Sequence, residues 1–162
     1  MNIYLLTHQR ELARKTNTGV LATEVLGENC RVFAWNRVAP DIELLHKLKH
    51  KSVALVYPGE DSVSTHEFAS FDSFIIIDST WQESQKIYNH IPYLHNLSKV
   101  KLNPEIASIY KLRRNQKEAG LCTAECVIEI LKLTDHKQQV RALETSLNRF
   151  ITSYSSPESK VT

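Results

Sequence analysis

What the chain has little of narrows its class first. Its three cysteines, Cys30, Cys122 and Cys126, are odd in number and form no C-x-x-C pair. That argues against both a disulfide framework and a complete cysteine zinc site, so no metal is expected. Cys122 and Cys126 share a helical face and read as small buried residues. No apolar run approaches the about 20 residues that cross a bilayer. Met1–Thr7 is too short for a signal h-region and has no basic leader, so a cytoplasmic location with no membrane partner is expected. There is no G-x-G-x-x-G and no P-loop, which speaks against a standard dinucleotide or nucleoside-triphosphate site. There is no nucleophile elbow, and the seven histidines are scattered without zincin spacing. A net charge of only +2 announces no nucleic-acid binder, so any RNA contact must come from local clusters. Internal repeats and low-complexity segments are missing too.

What is present is an ordinary globular chain of 162 residues, 42% hydrophobic and 23% charged, long enough to bury a core as one domain. It should fold alone or as a small oligomer, monomer or homodimer. Asn2–Thr7, Arg31–Trp35, Ser52–Tyr57 and Ser73–Ile77 read as short apolar strands. They are mostly continuous rather than alternating, as when helices cover both faces of a sheet. Helical patterns at Thr18–Leu26 and Asp41–Lys49 each open on a good N-cap residue. A helix at Trp81–Ile91, stopped by Pro92, precedes a fifth strand at Lys99–Leu102 and a short extended piece at Ile109–Arg113. Helices follow at Thr123–Leu133 and Asp135–Tyr154, the second striped by Val140, Leu143, Leu147, Phe150 and Ile151. The expectation is an α/β fold, a mainly parallel sheet covered by helices, spanning residues 1–154, with a frayed tail at 155–162.

In open α/β sheets ligands gather beyond the carboxyl ends of the strands, where helix N-termini offer free amides and a positive dipole end. Three such ends stand out. One is Val53–Tyr57 running into Pro58-Gly59-Glu60. Another is the tip of FIIIDSTWQESQK, where an apolar run gives way to Asp78-Ser79-Thr80-Trp81. Thr80 followed by Glu83 is the capping-box pattern T-x-x-E, so Thr80 has a structural duty. Asp78 comes two residues too early to be that cap and stands at the strand tip, either as a ligand group or bonded to its own turn. Trp81 is either a core anchor or a cofactor wall. The third end is YKLRRNQKEAGLCT, where Lys111, Arg113, Arg114 and Lys117 form a basic loop, solvated or functional. Thr123 there reads as an N-cap, and Glu125 suits the dipole of the next helix. Arg10, Arg14 and Lys15 precede Thr16-Asn17-Thr18-Gly19, a turn that caps a helix or holds a phosphate.

Taken together and in order, these motifs resemble the DTW-domain family. The matching residues are Leu6-Thr7-His8, T-N-T-G at Thr16–Gly19, Y-P-G-E at Tyr57–Glu60, D-S-T-W at Asp78–Trp81, L-R-R at Leu112–Arg114 and L-C-T-A-E at Leu121–Glu125. The resemblance spans about residues 4 to 131. It implies transfer of the 3-amino-3-carboxypropyl group of S-adenosylmethionine to N3 of a uridine in tRNA, on a SPOUT-like fold with a C-terminal trefoil knot. Rival readings are a SPOUT-like methyltransferase on the same pocket, a non-catalytic RNA-binding module, and a small-molecule α/β enzyme. Relatives often carry N-terminal cysteines in zinc-like spacing, which this chain lacks, and Cys126 stands where they often have alanine.

Carried over to these positions, the resemblance implies that Asp78 acts as base or orients the uracil and that Trp81 packs beside the sulfonium or adenine. Arg113 binds the methionyl carboxylate or a phosphate, and Glu125 pairs with the cofactor's amino group or caps its helix. The pocket would be lined by Pro58, Gly59, Asp78, Ser79, Thr80, Trp81, Leu112, Arg113, Leu121 and Thr123. The tRNA backbone would meet Arg10, Arg14, Lys15, Lys111, Arg114 and Lys117.

Overall fold

The computed structural model describes residues 1–50, 52–57, 65–102 and 121–155. In chain order these form β1 (Asn2–Thr7), α1 (Gln9–Leu12), α2 (Gly19–Leu26), β2 (Cys30–Ala34), α3 (Ile42–His50), β3 (Val53–Val56), β4 (Ser73–Asp78), α4 (Trp81–His90), α5 (Pro92–His95), β5 (Ser98–Val100), α6 (Thr123–Leu133) and α7 (Lys137–Ser155). The strands make one sheet in the order β2-β1-β4-β3-β5, with every pairing parallel. The α/β reading of the sequence therefore holds.

The central strands are apolar throughout because both faces are covered. Side chains alternate between those faces. Ile3, Leu5, Phe74 and Ile76 pack with Leu21 of α2, with Val127, Ile130 and Leu131 of α6, and with Leu143 and Leu147 of α7. Tyr4, Leu6, Ile75 and Ile77 face the other way, onto Leu44 of α3, Ile87 of α4 and Leu94 of α5. Trimming a fully buried member such as Leu55 or Ile75 to alanine would cost about 2–5 kcal/mol. The edge strand β2 departs from the expected continuous burial: Arg31, Val32 and Ala34 are exposed while Cys30 and Phe33 are buried. Among the described residues β2 has a neighbouring strand on one side only.

Helix ends follow from local chemistry. Thr80 and Glu83 close the expected capping box, with the Glu83 amide donating to Thr80 Oγ1 and the Thr80 amide to Glu83 Oε1. Asp41 Oδ1 likewise accepts from the Leu44 amide at 3.1 Å. Pro92 does more than stop α4. It forces extended backbone on Ile91 and then takes the first position of α5, where its missing N–H costs nothing. The short helix α1 carries no periodic signal that would predict it. The extended piece expected at Ile109–Arg113 lies outside the described residues, as does the tail from residue 156 on, while Ser155, expected at the start of that tail, closes α7. Among the described residues, no helix is long and apolar enough to cross a membrane.

Candidate active site at the carboxyl edge of the sheet

β1 and β4 lie side by side in the middle of the sheet, with Thr7 opposite Asp78. Both strands therefore deliver a polar residue to the same edge. Asp78 is only 7% exposed. Its Oδ2 accepts from Asn17 Nδ2 at 2.9 Å and from Thr7 Oγ1 at 3.5 Å, and its Oδ1 accepts from Thr123 Oγ1 at 2.8 Å. The His8 amide donates to its carbonyl at 3.1 Å. Partners drawn from β1, the entry to α2 and the first turn of α6 thus converge on one carboxylate. The alternative in which Asp78 merely bonds its own turn does not describe these contacts.

The approach is close enough to exclude a side chain at position 19. A Cβ on Gly19 would lie 2.8 Å from Asn17 Oδ1, 3.1 Å from Asp78 Oδ2 and 3.2 Å from Leu5 Cδ1. Asn17 serves both sides of this junction, since its Oδ1 accepts the Gly19 amide at 2.6 Å.

Two expected caps are corrected here. Thr18 does stand at the N-cap of α2, but its hydroxyl makes no bond to that helix. Its backbone is helical (φ −84°, ψ −7°) rather than the extended conformation that aims a capping oxygen at amides ahead. Instead Thr18 Oγ1 accepts the Ala124 amide of α6 at 3.0 Å, joining the two helix starts. Thr123 is likewise not the N-cap of α6. Cys122 takes that place in extended backbone, and Glu125 Oε1 accepts the Cys122 amide at 3.0 Å. The Thr123 hydroxyl is left for Asp78. Burial, reinforced by the charge of Glu125, pushes the Cys122 thiol up to about 12. It is therefore protonated at neutral pH and no nucleophile.

Trp81 opens α4 and is 39% exposed, which rules out a buried anchor. Its ring stacks on Tyr57 from the end of β3 (5.6 Å between centroids, 30° between planes), and Tyr57 stacks on Tyr88 (4.4 Å, 18°). Ser79 Oγ lies 2.7 Å from Ser84 Oγ, tying the turn to the first turns of α4.

On the β2 side, His8 stacks on Trp35 at 5.5 Å. Its Nδ1 accepts the Arg10 amide and caps α1, so in the neutral ring Nε2–H faces Glu83 Oε2, 3.3 Å away. Burial would raise the Glu83 carboxyl, but the Thr80 hydroxyl and amide together with His8 and Arg10 outweigh it and lower it below its ordinary value.

The sequence-derived residues therefore divide. Asp78, Ser79, Thr80, Trp81 and Thr123 stand at this edge, with Glu125 in the first turn of α6 and Leu121 just before its N-cap. Arg10 and Arg14 lie on and just beyond α1, next to acids: Arg10 is 3.9 Å from Glu83 and Arg14 is 2.8 Å from Glu11. The Lys15 carbonyl accepts from the Tyr154 hydroxyl. Pro58, Gly59, Lys111, Leu112, Arg113, Arg114 and Lys117 lie outside the described residues. Thr7, Asn17, Thr18, Gly19 and Tyr57 all stand within quoted motifs, yet nothing local points to the parts they play; nor does any local signal make His8, likewise quoted, a neighbour of Glu83. Among the described residues, no group of three His, Cys, Asp or Glu side chains could hold a metal ion.

The family profile described as DTW domain matches residues 1–155. The chain is similar to tRNA-uridine aminocarboxypropyltransferase 2 of Drosophila melanogaster, 29% identical over 146 residues that cover 86% of this chain and 58% of that protein. It is 25% identical to the enzyme of the same name from Macaca fascicularis over 149 residues, covering 86% and 50%, and 25% identical to that from Mus musculus over 143 residues, covering 83% and 48%. It spans about half the length of the curated relatives it matches. No solved structure matches. Since the profile runs through almost the whole chain and its signature tetrapeptide sits at the tip of the central strand, the chain belongs to the DTW-domain family.

Proposed function

We propose that this chain is an enzyme that transfers the 3-amino-3-carboxypropyl group of S-adenosylmethionine to N3 of a uridine in tRNA. The observation that carries the site is the gathering of Thr7, Asn17 and Thr123 on Asp78 at the carboxyl edge of the sheet. The reaction rests on the family and on the names of the relatives. A tRNA substrate suits a cytoplasmic enzyme, and that location, like the SPOUT-like fold, is part of the proposal.

The residues fit such a donor. Trp81 offers an indole to the adenine or the sulfonium, where a cation over the ring gains about 0.5–2 kcal/mol. Glu125 suits the amino group, and Arg113, from its sequence position, suits the methionyl carboxylate, for which a planar guanidinium is matched. Pro58, Gly59, Ser79, Thr80, Leu112, Leu121 and Thr123 are proposed as the remaining wall. When bound, the donor supplies electrophilic carbons on one sulfonium, and the product depends on which one the pocket presents.

Uridine N3 is a poor nucleophile until it loses its proton. Asp78 either accepts that proton or orients the ring through the N3–H. Its grip by β1, by the turn before α2 and by α6 favours orientation, because a carboxylate held from several elements points in one direction. Arg10, Arg14, Lys15, Lys111, Arg114 and Lys117 are proposed phosphate contacts.

Incubating the chain with bulk tRNA and S-adenosylmethionine, then weighing the digested nucleosides, tests the reading. A uridine heavier by the aminocarboxypropyl group is the expected product. A methyl increment would make the chain a methyltransferase, and tRNA binding without product would make it a binding module.

A further inference from the structure

A row of aromatic rings leads away from Asp78 along α4. Trp81 and Tyr88 are seven residues apart, close to two helical turns, and so share a stripe. Tyr57 slots between them from the end of β3, and His95 of α5 adds a fourth ring at 4.5 Å from Tyr88. Lys99 of β5 places its Nζ 5.0 Å from the centre of the Tyr88 ring. Neither Trp81 nor His95 belongs to either apolar core cluster, and both are solvent-exposed. Core packing therefore explains the middle of the row, and the His95 ring is held by its Nε2, 2.7 Å from the Tyr88 carbonyl, but neither accounts for Trp81.

The stretch of chain beside it is mainly basic. Between Gln82 and Lys101 stand Lys86, Lys99, Lys101, His90 and His95 and a single acid, Glu83, whose carboxylate is turned toward Thr80, His8 and Arg10. Val100 is fully buried, so strand alternation puts Lys99 on the side opposite it, and the exposed Lys101 follows one residue beyond the end of β5. Among the described residues Lys101 makes no ion pair, whereas Arg10 and Arg14 both have acids beside them.

We infer that this Trp81–Tyr57–Tyr88–His95 row, with Lys99 and Lys101 alongside, is the docking face for unpaired RNA nucleotides next to the modified uridine. The inference rests on the proposed function and gives its polymer substrate a path. The stacked tyrosines hold the exposed end rings, Trp81 and His95, where a base can lie against them, and the lysines take phosphates; that combination matches single-stranded nucleic acid. A duplex buries its base faces and would offer this surface only its backbone.

The test is tRNA binding as a function of salt for the wild-type chain, the Lys99→Glu/Lys101→Glu double variant, His95→Ala and Lys99→Arg. S-adenosylmethionine affinity and melting temperature are measured on the same samples. The double variant should lose tRNA affinity on the order of tenfold, and its slope of log K against log salt should shrink by about 0.7 for each phosphate that the lysines no longer neutralise. Cofactor affinity should not move, and melting should fall only by the small amount that losing the Lys99–Tyr88 contact entails. His95→Ala should lose affinity without a change in slope, and Lys99→Arg should bind like the wild type. A single-stranded oligonucleotide should compete with tRNA, and a duplex of the same sequence should compete poorly. Unchanged affinity and slope in the double variant would overturn the docking face, as would equal competition by the duplex. A wild-type chain that makes no nucleoside product, yet loses RNA affinity in the double variant, would keep the face and sink the reaction.

Discussion

Asp78 and Trp81 stand three residues apart in one tetrapeptide and live in opposite surroundings. The carboxylate is 7% exposed and receives donors from β1, from the turn before α2 and from α6; the indole is 39% exposed and leans on one tyrosine. Strand β4 ends between these regimes, delivering one residue into a closed polar junction and the next helix start into the open. One short motif can therefore supply a rigid reference point and an adaptable contact surface together. The rigid half should respond to substitution in stability and turnover alike, and the open half mainly in affinity.

The largest effect that would break this contrast belongs to Asp78. Asp78→Ala removes an acceptor from Asn17 Nδ2, which keeps its bond to the Glu11 carbonyl, and from the half-buried Thr123 hydroxyl, at a cost of about 2 kcal/mol in urea unfolding and complete loss of turnover. Asp78→Asn keeps a carbonyl for Asn17, and the Thr123 hydroxyl can turn to accept from the new amide. The expected stability loss is about 1 kcal/mol, with turnover still lost. An asparagine variant that turns over at the wild-type rate would remove Asp78 from the chemistry. Thr18→Ala comes next: stripping the acceptor from the Ala124 amide should cost about 1 kcal/mol, as for a missing N-cap, and loosen α6 against α2.

Acid titration gives a smaller effect. The Glu83 carboxyl is lowered in the folded chain, so its contribution is complete above the ordinary glutamate value of about 4.3 and is lost as pH falls through the folded value. Glu83→Gln should remove that part of the acid limb. Smallest in stability is Trp81→Phe, expected within about 0.5 kcal/mol of the wild type because the ring is so exposed. Cofactor or tRNA affinity should fall nonetheless. A variant that melts early while binding both normally would erase the distinction between the two halves.

Much of the framework is legible in the sequence because its causes are local. Apolar runs of strand length, the T-x-x-E pattern of Thr80 and Glu83, and the Val140–Ile151 stripe are each written in one stretch of chain. The junction on Asp78 is not, because its hydrogen bonds join residues 45, 61 and 71 positions apart, and the Thr18 bond to Ala124 crosses 106. Local pattern puts Thr18 and Thr123 at plausible caps, yet both hydroxyls go elsewhere once β1 lies beside β4 and α6 docks against α2. Trp81 shows the reverse case: indoles usually sink into cores, and only the placement of Tyr57 shows this one held at the surface.

The order of the strands also sets when a newly made chain can be competent. β1 emerges first and can pair early with β2, yet β4 arrives some 70 residues later and Thr123 later still, so Thr7 waits for the carboxylate it faces and for the other donors to it. A product of stalled translation that ends before α6 has the middle of the sheet but no hydroxyl on Oδ1 of Asp78. Aborted fragments should lack the proposed activity.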